Sequence, residues 1–359
     1  MARKKKKSIR LNSQHPRQIC PICCVLPPHM LEHIAQNGNP SQRDWAFQTL
    51  EVSAQFRGRR EVVANFTTIM AQPGEKRRSV YDAKNGSTLP GVLVRSENEP
   101  PSSDPIVNEA YDGAGITYDF YHEVFDRNSV DNNGLRLDAT VHYSTKYDNA
   151  FWNGTQMVYG DGDGELFQPF TKCIDVIAHE LTHGVTQHQA ALQYVGESGA
   201  LNESFSDVFG SLVKQRVKKQ TADQADWIIG EGIFTSKVKG VGIRSLKAPG
   251  TAYDDPVLGK DPQPTHVKDL YTGTKDHGGV HINSSIPSHA FYQSAMDIGG
   301  FAWEKTGKIW YITLCDRLDS KANFKQAAQA TIKVAGELYG EASSEQKAVQ
   351  SAWQKVGVS

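Results

Sequence analysis

Residues 173–183 read Cys-Ile-Asp-Val-Ile-Ala-His-Glu-Leu-Thr-His, and neither proline nor glycine interrupts the stretch before Gly184. On a helix, His179 and His183 are four positions apart and share a face. Two imidazoles at this spacing can bind one zinc ion, with Glu180 beside a metal-bound water. The spacing therefore predicts a metal site on a helix. The alternative is a surface helix that carries two ordinary histidines.

A second predicted helix offers acidic side chains for the same site. Glu203 and Asp207 are four positions apart, so both carboxylates lie on one helical face. A catalytic zinc ion usually has three protein ligands and one open water position, so Glu203 is expected to complete the ligand set. Asp207 can then accept the free ring N–H of a ligand histidine, and Asn202 is grouped with it behind the ligands. Two solvated acids on an exposed helix are the alternative, which the apolar residues around them disfavour.

Composition excludes several classes of protein. The chain has 359 residues, of which 38% are hydrophobic and 22% are charged. These values indicate a globular protein of one large or two medium domains and exclude a disordered, collagenous or coiled-coil chain. No apolar run approaches the roughly 20 residues of a membrane-spanning helix. The first ten residues lead into polar sequence, so a classical signal peptide is not expected.

The sequence predicts an α+β chain in three parts: a leader (1–70), a β-rich N-terminal domain that includes the predicted metal-site helix (71–190), and a mainly helical domain (191–359). Short strands and turns are expected between residues 79 and 138, with strands at 79–82 and 93–95. Helices are predicted over 30–36, 43–56, 173–189, 203–218, 288–297 and 324–338.

Several further blocks follow one another between about residue 79 and the C-terminus. They read YDAK (81–84), TLPG (88–91), GITYD (115–119), VHY (141–143), NAFWNG (149–154), MVYGDGDG (157–164), GIRS (242–245) and GGVHINS (278–284). With the zinc helix, these blocks and their order resemble the thermolysin family of neutral zinc metallopeptidases. The resemblance implies the two-domain fold of that family and an endopeptidase that cleaves before bulky apolar residues.

The resemblance also implies roles for the metal-site residues. It assigns one zinc ion to His179, His183 and Glu203. Glu180 is then the general base that takes a proton from the metal-bound water, which agrees with the independent argument that a carboxylate beside such a water can accept and return a proton.

Other positions match residues of the family's substrate cleft. His281 and Tyr194 match donors of hydrogen bonds to the developing oxyanion, and Asp276 matches the carboxylate that orients the histidine. Two further matches concern substrate binding. Asn149 with the backbone of Ala150 matches a clamp on the substrate backbone, and Arg244 matches an arginine beside the pocket on the prime side of the cleft.

The resemblance raises the question of calcium, which acidic oxygen ligands favour. Asp175, Asp226 and Glu231 match candidate calcium ligands. Lys214, however, stands where the family's double-calcium site has a glutamate, and its ammonium group would repel the ions. At most one calcium ion is therefore predicted there. For the acids of the run at 160–164, the alternating glycines favour a tight turn over a calcium site.

The leader differs electrostatically from the rest. Up to Arg78 the chain has 14 basic and 5 acidic residues, whereas the remainder has 25 and 35. Such a segment suits either a nucleic-acid or membrane arm or a segment that docks on an acidic body. Residues 27–38 resemble the compact prosegment of the protealysin branch of the family. This resemblance implies an inhibitory prosegment and a self-processing zymogen, with the cut between Phe56 and Arg78.

The leader also contains a cysteine cluster. Five cysteines in the whole chain argue against a disulfide framework. Cys20, Cys23 and Cys24 could form a small zinc knuckle with His29 or His33, although no second paired motif follows. A thiolate of the cluster that caps the catalytic zinc is a further hypothesis.

A rival class is a nucleic-acid-binding or partner-binding protein that keeps the zinc fold as a scaffold. A scaffold would not need Glu180, His281 and Tyr194 together, and the lysine run at 4–7 lacks the aromatic residues that stack on bases. Peptide or protein substrates and the chain's own prosegment are therefore the expected partners. Family analogy implies secretion, while a cytoplasmic precursor or unconventional export stays open.

Overall fold

The computed structural model describes residues 23–59 and 75–359, with the backbone alone for residues 23 and 54–59. The strands are β1 (Cys23–Cys24), β2 (Arg78–Asp82), β3 (Val92–Ser96), β4 (Leu137–Val141), β5 (Ala150–Trp152), β6 (Met157–Tyr159), β7 (Ile228–Ile229), β8 (Arg244–Ser245), β9 (Asp254–Asp255) and β10 (Gly259–Lys260). The helices are α1 (Pro28–Asn37), α2 (Pro40–Arg59), α3 (Pro105–Phe125), α4 (Ile174–His188), α5 (Gly196–Lys218), α6 (Asp276–Asn283), α7 (Ser285–Ile298), α8 (Thr306–Asp316), α9 (Phe324–Tyr339) and α10 (Ser344–Lys355).

A six-stranded sheet dominates the first half, with the strand order β1-β5-β6-β4-β2-β3. Strand β4 pairs in parallel with β2 and with β6, while β5 runs antiparallel to β6. The leader strand β1 pairs antiparallel with β5, with Cys24 opposite Phe151. The leader thereby extends the sheet at the edge formed by β5.

The expectation of only short strands and turns between residues 79 and 138 is wrong for α3, which is a long helix. Asp104 caps this helix by accepting a backbone N–H, and Pro105 occupies the first turn, where a missing N–H costs nothing. Gly113 weakens the helical pattern in the sequence, but a Cβ there would lie 2.4 Å from Cδ1 of Ile177. Close packing against α4 therefore outweighs the low helix propensity of glycine.

Helices α4 and α5 lie side by side and are buried over most of their length. Gly210 of α5 permits this closeness, because a Cβ at that position would lie 2.6 Å from the carbonyl oxygen of Asp175. Both predicted helices are confirmed, although α5 begins at Gly196, earlier than predicted. The packing brings the candidate zinc ligands of the two helices close to one another.

The second half is mainly helical, as predicted. Helices α7 and α9 agree with the sequence prediction, whereas α6, α8 and α10 are not among the predicted helices. Trp310 of α8 and Trp353 of α10 stack with 6.3 Å between ring centroids. The α+β class, with a β-rich first half and a helical second half, is confirmed. In the described parts of the chain, each helix is too short or too polar to cross a membrane.

Candidate active site

The centre of the site lies on α4, where helical spacing places His179 and His183 on the face toward Glu203 of α5, with Glu180 next to His179. His179, Glu180 and His183 are almost fully buried, and their ligand atoms lie within 4.8 Å of one another. The Nε2 atoms of the two histidines are 3.1 Å apart. Two imidazole nitrogens and a carboxylate thus converge on one point, as the sequence spacing predicts.

Helix α5 adds the predicted acids. Glu203 Oε2 lies 3.4 Å from His179 Nε2, and its Oε1 lies 3.5 Å from His183 Nε2. Asp207 Oδ1 lies 2.8 Å from Nδ1 of His179, and Asn202 Oδ1 lies 2.9 Å from Nδ1 of His183. Asp207 and Asn202 thus hold the Nδ1 atoms of the two rings, so that both Nε2 atoms point toward the centre, as in metal-ligating histidines.

The donor set fits a zinc ion. Glu180 Oε1 and Glu203 Oε2 are buried and have no hydrogen-bond partner within the described chain. Orphan carboxylate oxygens in a buried site are costly unless a cation or proton satisfies them. Two imidazoles and a carboxylate, each within reach of the same point, are ligands that zinc prefers.

The protein environment shifts the pKa values of these groups strongly. Burial raises the pKa of Glu180 to about 8. Burial lowers the pKa of His183 to about 3. Burial also opposes charge on His179, but the nearby carboxylates of Asp207 and Glu203 raise its pKa to about 9. For Glu203, burial is outweighed by the neighbouring histidines, which hold its pKa well below the ordinary value.

Tyr194 and His281 reach the same centre from the C-terminal half. Tyr194 Oη donates to Glu203 and lies 3.1 Å from Nε2 of His281. Asp276 holds the histidine at two points, because Oδ1 lies 2.6 Å from the ring Nδ1 and Oδ2 accepts the backbone N–H at 2.8 Å. Residues 277–279 have φ values of 52°, 87° and 78°, and this left-handed turn brings Asp276 back to the ring.

The leader occupies the cleft beside these groups. Val25 N–H donates to the carbonyl oxygen of Ala150 at 3.2 Å, and Arg244 Nη1 donates to the Val25 carbonyl at 2.8 Å. Asn149 forms two bonds with Leu26, accepting its N–H at 2.9 Å and donating to its carbonyl at 3.3 Å. The predicted substrate-binding residues therefore all contact the leader backbone. Asp207 in turn holds the Arg244 guanidinium through two bonds of 2.8 Å.

The leader helix α1 anchors this segment on the rest of the protein. His29 Nε2 lies 3.1 Å from the hydroxyl of Tyr253, and His33 Nδ1 lies 2.9 Å from the carbonyl oxygen of Val257. Glu32 pairs with Lys275 at 2.8 Å. Burial lowers the pKa of His29 to about 4, although nearby Asp276 opposes the shift.

The candidate calcium ligands surround a lysine. Lys214 Nζ lies 2.7 Å from Asp226 Oδ1, 3.1 Å from Asp175 Oδ2 and 4.0 Å from Glu231 Oε2. Asp175 Oδ2 also accepts the N–H of Gly230 at 3.1 Å. An ammonium group thus occupies the point where a cation would bind.

Two other predictions concern the glycine-rich run and the cysteines. Asp163 Oδ1 accepts three successive backbone N–H groups at 2.7 to 2.9 Å, which is the geometry of a tight turn.

For the cysteine cluster, Cys24 Sγ lies 3.9 Å from Ser53 Oγ, and the two histidines considered for a zinc knuckle, His29 and His33, contact other partners. In residues 23–59 and 75–359, the cluster with metal-ligand spacing is the His-Glu-His set of α4. Cys20, the side chain of Cys23 and most of the predicted processing region lie outside the described residues.

Sequence reasoning missed two participants. Ser206 lies one position before Asp207, and its Oγ is 3.0 Å from Nδ1 of His183. The pair Val25-Leu26 was not singled out, although it is an apolar dipeptide directly before Pro27. The predicted preference for apolar residues could have identified it.

Comparisons with known proteins agree with this geometry. The family model described as "Thermolysin metallopeptidase, catalytic domain" matches residues 64–187, and "Thermolysin metallopeptidase, alpha-helical domain" matches residues 190–358. An extracellular metalloprotease of Pectobacterium carotovorum subsp. carotovorum is 48% identical over 340 residues, which are 94% of this chain and 97% of the relative. Protease PrtS of Photorhabdus sp. (strain Az29) is 48% identical over 342 residues, covering 93% of this chain and 91% of the relative.

A solved structure is also similar. The precursor of protealysin, a metalloproteinase from Serratia proteamaculans, superposes with a TM-score of 0.87 and 51% sequence identity. The match covers 94% of this chain and 100% of the other. Both the peptidase body and part of the leader therefore have a counterpart in that precursor.

Proposed function

The chain belongs to the thermolysin family of metallopeptidases and is a metalloendopeptidase, and on that premise we propose that it cleaves peptide bonds before bulky apolar residues and is made as a self-processing zymogen. The observation that supports the proposal is the convergence of His179, His183 and Glu203 beside Glu180, with two orphan carboxylate oxygens at the centre.

In this proposal His179, His183 and Glu203 hold one zinc ion. When bound, zinc polarises the scissile carbonyl and lowers the pKa of its water toward ~7. Glu180 is the proton carrier. The N–H of Trp152 donates to Oε2 of Glu180 at 2.9 Å and fixes the carboxylate. Its other oxygen, Oε1, has no hydrogen-bond partner in the described chain and is available to accept a proton. A carboxyl with a pKa of about 8 can accept and return a proton near neutral pH.

Two donors are proposed to stabilise the oxyanion. Tyr194 and His281 lie at one side of the ligand set, and Asp276 keeps the imidazole protonated by raising the pKa of His281 to about 9 against the effect of burial. Removal of one such donor typically costs ~10²-fold or more in rate. Asp276 acts through His281 and is a positioning residue.

The substrate is proposed to bind as the leader does now. Asn149, the backbone of Ala150 and Arg244 bond to main-chain groups of the leader, and these bonds do not depend on side-chain identity. A substrate can use them only after the leader has left. The leader is thus an intramolecular inhibitor that blocks the cleft.

The division of the chain into 1–70, 71–190 and 191–359 stays a prediction, as does a processing bond between Phe56 and Arg78. We also propose that the mature enzyme is secreted, because the Pectobacterium relative is described as extracellular. Nucleic-acid binding is not proposed, because the site contains the groups that peptide hydrolysis needs.

The test is a time course of intact mass for the full chain with zinc, alongside Glu180→Gln. We expect the unsubstituted chain to lose its leader and then hydrolyse an apolar peptide. Glu180→Gln should retain one zinc ion and stay intact, with peptide hydrolysis reduced about 10²- to 10⁴-fold. Glu123→Gln, a change at an exposed glutamate, is the matched control and should behave as the unsubstituted chain does.

Zinc content separates the proposed roles. Glu203→Gln should lose zinc, whereas Glu180→Gln should not. Processing of Glu180→Gln at the normal rate would contradict the general-base role and would point to a contaminating protease.

A further inference from the structure

We propose that the Cys24–Val25 peptide bond within the leader is itself a cleavage site of the chain's own active site. This inference rests on the proposed function and adds a bond that lies far from the predicted processing region. Its product is a chain that begins at Val25 and keeps most of the leader docked.

The first argument is the direction and register of the leader. Strand β1 runs antiparallel to β5, and the ladder continues through the bond from Val25 N–H to the Ala150 carbonyl. Together with the bonds to Leu26 and to the Val25 carbonyl, four polar main-chain groups of two consecutive residues are held. The leader therefore lies in the cleft in a single fixed register, as an extended peptide substrate would.

The second argument is the position of one carbonyl. The Cys24 carbonyl oxygen lies 2.9 Å from Nε2 of His281, the nitrogen proposed to donate to the oxyanion. Of the leader carbonyls in the cleft, this one meets the proposed oxyanion donor, while the next, that of Val25, meets Arg244. The register thus selects the bond between Cys24 and Val25.

The third argument is the side chain that follows this bond. Val25 has an exposed fraction of 0% and belongs to the main apolar core of the protein. Cys24, on the other face of the strand, packs in a separate cluster with Tyr143, Tyr147 and Phe151. A branched apolar residue in a closed pocket directly after the presented bond agrees with the proposed preference.

The segment after the bond should keep the cleft covered after cleavage and slow the net reaction. Leu26 is 1% exposed, and α1 begins two residues later at Pro28 and is anchored through His29 and His33. After cleavage, the new amino group of Val25 stays where the amide nitrogen was. The bond can therefore re-form before the fragment that ends at Cys24 dissociates.

The reaction is an ordinary hydrolysis. The oxygen of water bonds to the carbonyl carbon of Cys24, and the bond from that carbon to the Val25 nitrogen breaks. Glu180 carries a proton from the water to the departing nitrogen. The products are a Cys24 carboxylate and a Val25 ammonium group, and no other reactant is needed.

The experiment follows new N-termini of the full zinc-loaded chain by intact mass and N-terminal sequencing, at protein concentrations tenfold apart. We expect a chain that begins at Val25, formed at a rate independent of concentration because the bond lies in its own cleft. Val25→Leu, the matched control, should form the corresponding product, while Val25→Asp should not, since a carboxylate is costly in the apolar pocket.

A second readout reports the register without catalysis. In a Cys23→Ser background with Glu180→Gln, we expect slow thiol labelling of Cys24, which is 8% exposed, and faster labelling when Val25→Asp is added. Equal labelling in both would overturn the register.

The outcomes separate this inference from the proposed function. A sample that hydrolyses an apolar peptide but never yields a chain beginning at Val25 overturns the inference alone. Formation of that chain at a rate proportional to protein concentration also overturns it, because the cut then occurs between molecules. Absence of any peptide hydrolysis after the leader has been removed overturns the proposed function, and this inference falls with it.

Discussion

Two buried clusters of charge lie along the same pair of helices, α4 and α5, and they satisfy their carboxylates in opposite ways. In the first, which we call the ligand cluster, His179, His183 and Glu203 surround a central point. In the second, the lysine cluster, Lys214 stands between Asp175 and Asp226. The ligand cluster leaves Oε2 of Glu203 without a hydrogen-bond partner in the described part of the chain, whereas the lysine cluster contains its own cation.

The difference shows which cluster depends on solution conditions. A buried carboxylate needs a positive partner, because its desolvation costs several kcal/mol. In the ligand cluster the histidines beside Glu203 supply positive charge as long as they are protonated. A bound zinc ion would take the place of those protons, so the state of this cluster depends on metal. The lysine cluster has a covalently attached partner, so its state should not. The two clusters thus differ in whether a permanently charged side chain of the protein stands among the carboxylates.

Metal removal is expected to have the largest effect. A zinc-selective chelator should reduce peptide hydrolysis about 10³-fold or more, because the site loses the group that stabilises charge in the transition state. Addition of zinc should restore the activity. A calcium-selective chelator is the control and should change neither activity nor thermal stability. A lower melting temperature with that chelator would show that the lysine cluster holds calcium.

Loss of the internal cation should have the next largest effect. Lys214→Met leaves Asp175, which is 1% exposed, without its positive partner. Breaking a buried ion pair on one side typically costs about 3–5 kcal/mol, measurable as the free energy of unfolding in urea. Lys218→Met removes a half-exposed lysine from the same cluster and should cost about 1 kcal/mol or less.

The charge at position 214 can also be reversed. Lys214→Glu should make the lysine cluster resemble a cation site, so that added calcium raises the melting temperature of this variant alone. If the variant is as stable without calcium as the original chain, the lysine is not needed to balance the acids.

These two clusters were also the part of the site that the sequence predicted best. Residues four apart on a helix share a face, so the grouping of His179 with His183 and of Glu203 with Asp207 required no tertiary information. The argument against two calcium ions came from the resemblance, which places Lys214 where the family's double-calcium site has a glutamate. Helix periodicity therefore carries most of the information about α4 and α5.

The leader could not be placed in the same way. Its register depends on pairs such as Cys24 with Phe151 and Leu26 with Asn149, which are more than a hundred positions apart and have no periodic signal. Helix α3 was missed for a related reason. Gly113 disfavours a helix locally, but it lets α3 pack closely against Ile177 of another helix. Local patterns describe elements, while tertiary contacts decide which of them reach the site.

Acid should act on the leader that covers the ligand cluster and leave the lysine cluster unchanged. The pKa of His29 is lowered to about 4 in the docked leader, from an ordinary value near 6.5. The docked state therefore disfavours the proton. Its docking free energy is complete above pH 6.5 and falls by about 1–3 kcal/mol as the pH approaches 4.

Thiol labelling of Cys24 between pH 7 and pH 4.5 measures this effect, corrected for the reactivity of a short cysteine peptide. We expect labelling to accelerate toward low pH. His29→Gln can still donate to Tyr253 but does not titrate in this range, so the acceleration should be smaller. An equal acceleration in both chains would assign it to another group.

The smallest effect is expected at a third cluster, whose internal cation titrates. His142 lies between Asp104 and Asp161, 2.8 Å from each. Hydrogen bonding to Asp161 and Asp104 outweighs burial and raises its pKa to about 9. This cluster resembles the lysine cluster at neutral pH and should lose its cation in alkali, which Lys214 should not.

The sign follows from the raised pKa. The folded state holds the proton more tightly than the unfolded state, so the stabilisation is complete below about pH 6.5 and is lost as the pH rises through about 9. Because the ring and both acids are partly exposed, screening limits the contribution to about 1 kcal/mol. The difference in unfolding free energy between the original chain and His142→Gln should shrink from pH 6 to pH 10. A difference that stays constant would mean that His142 contributes through packing and neutral hydrogen bonds, and that the cluster holds no cation comparable to Lys214.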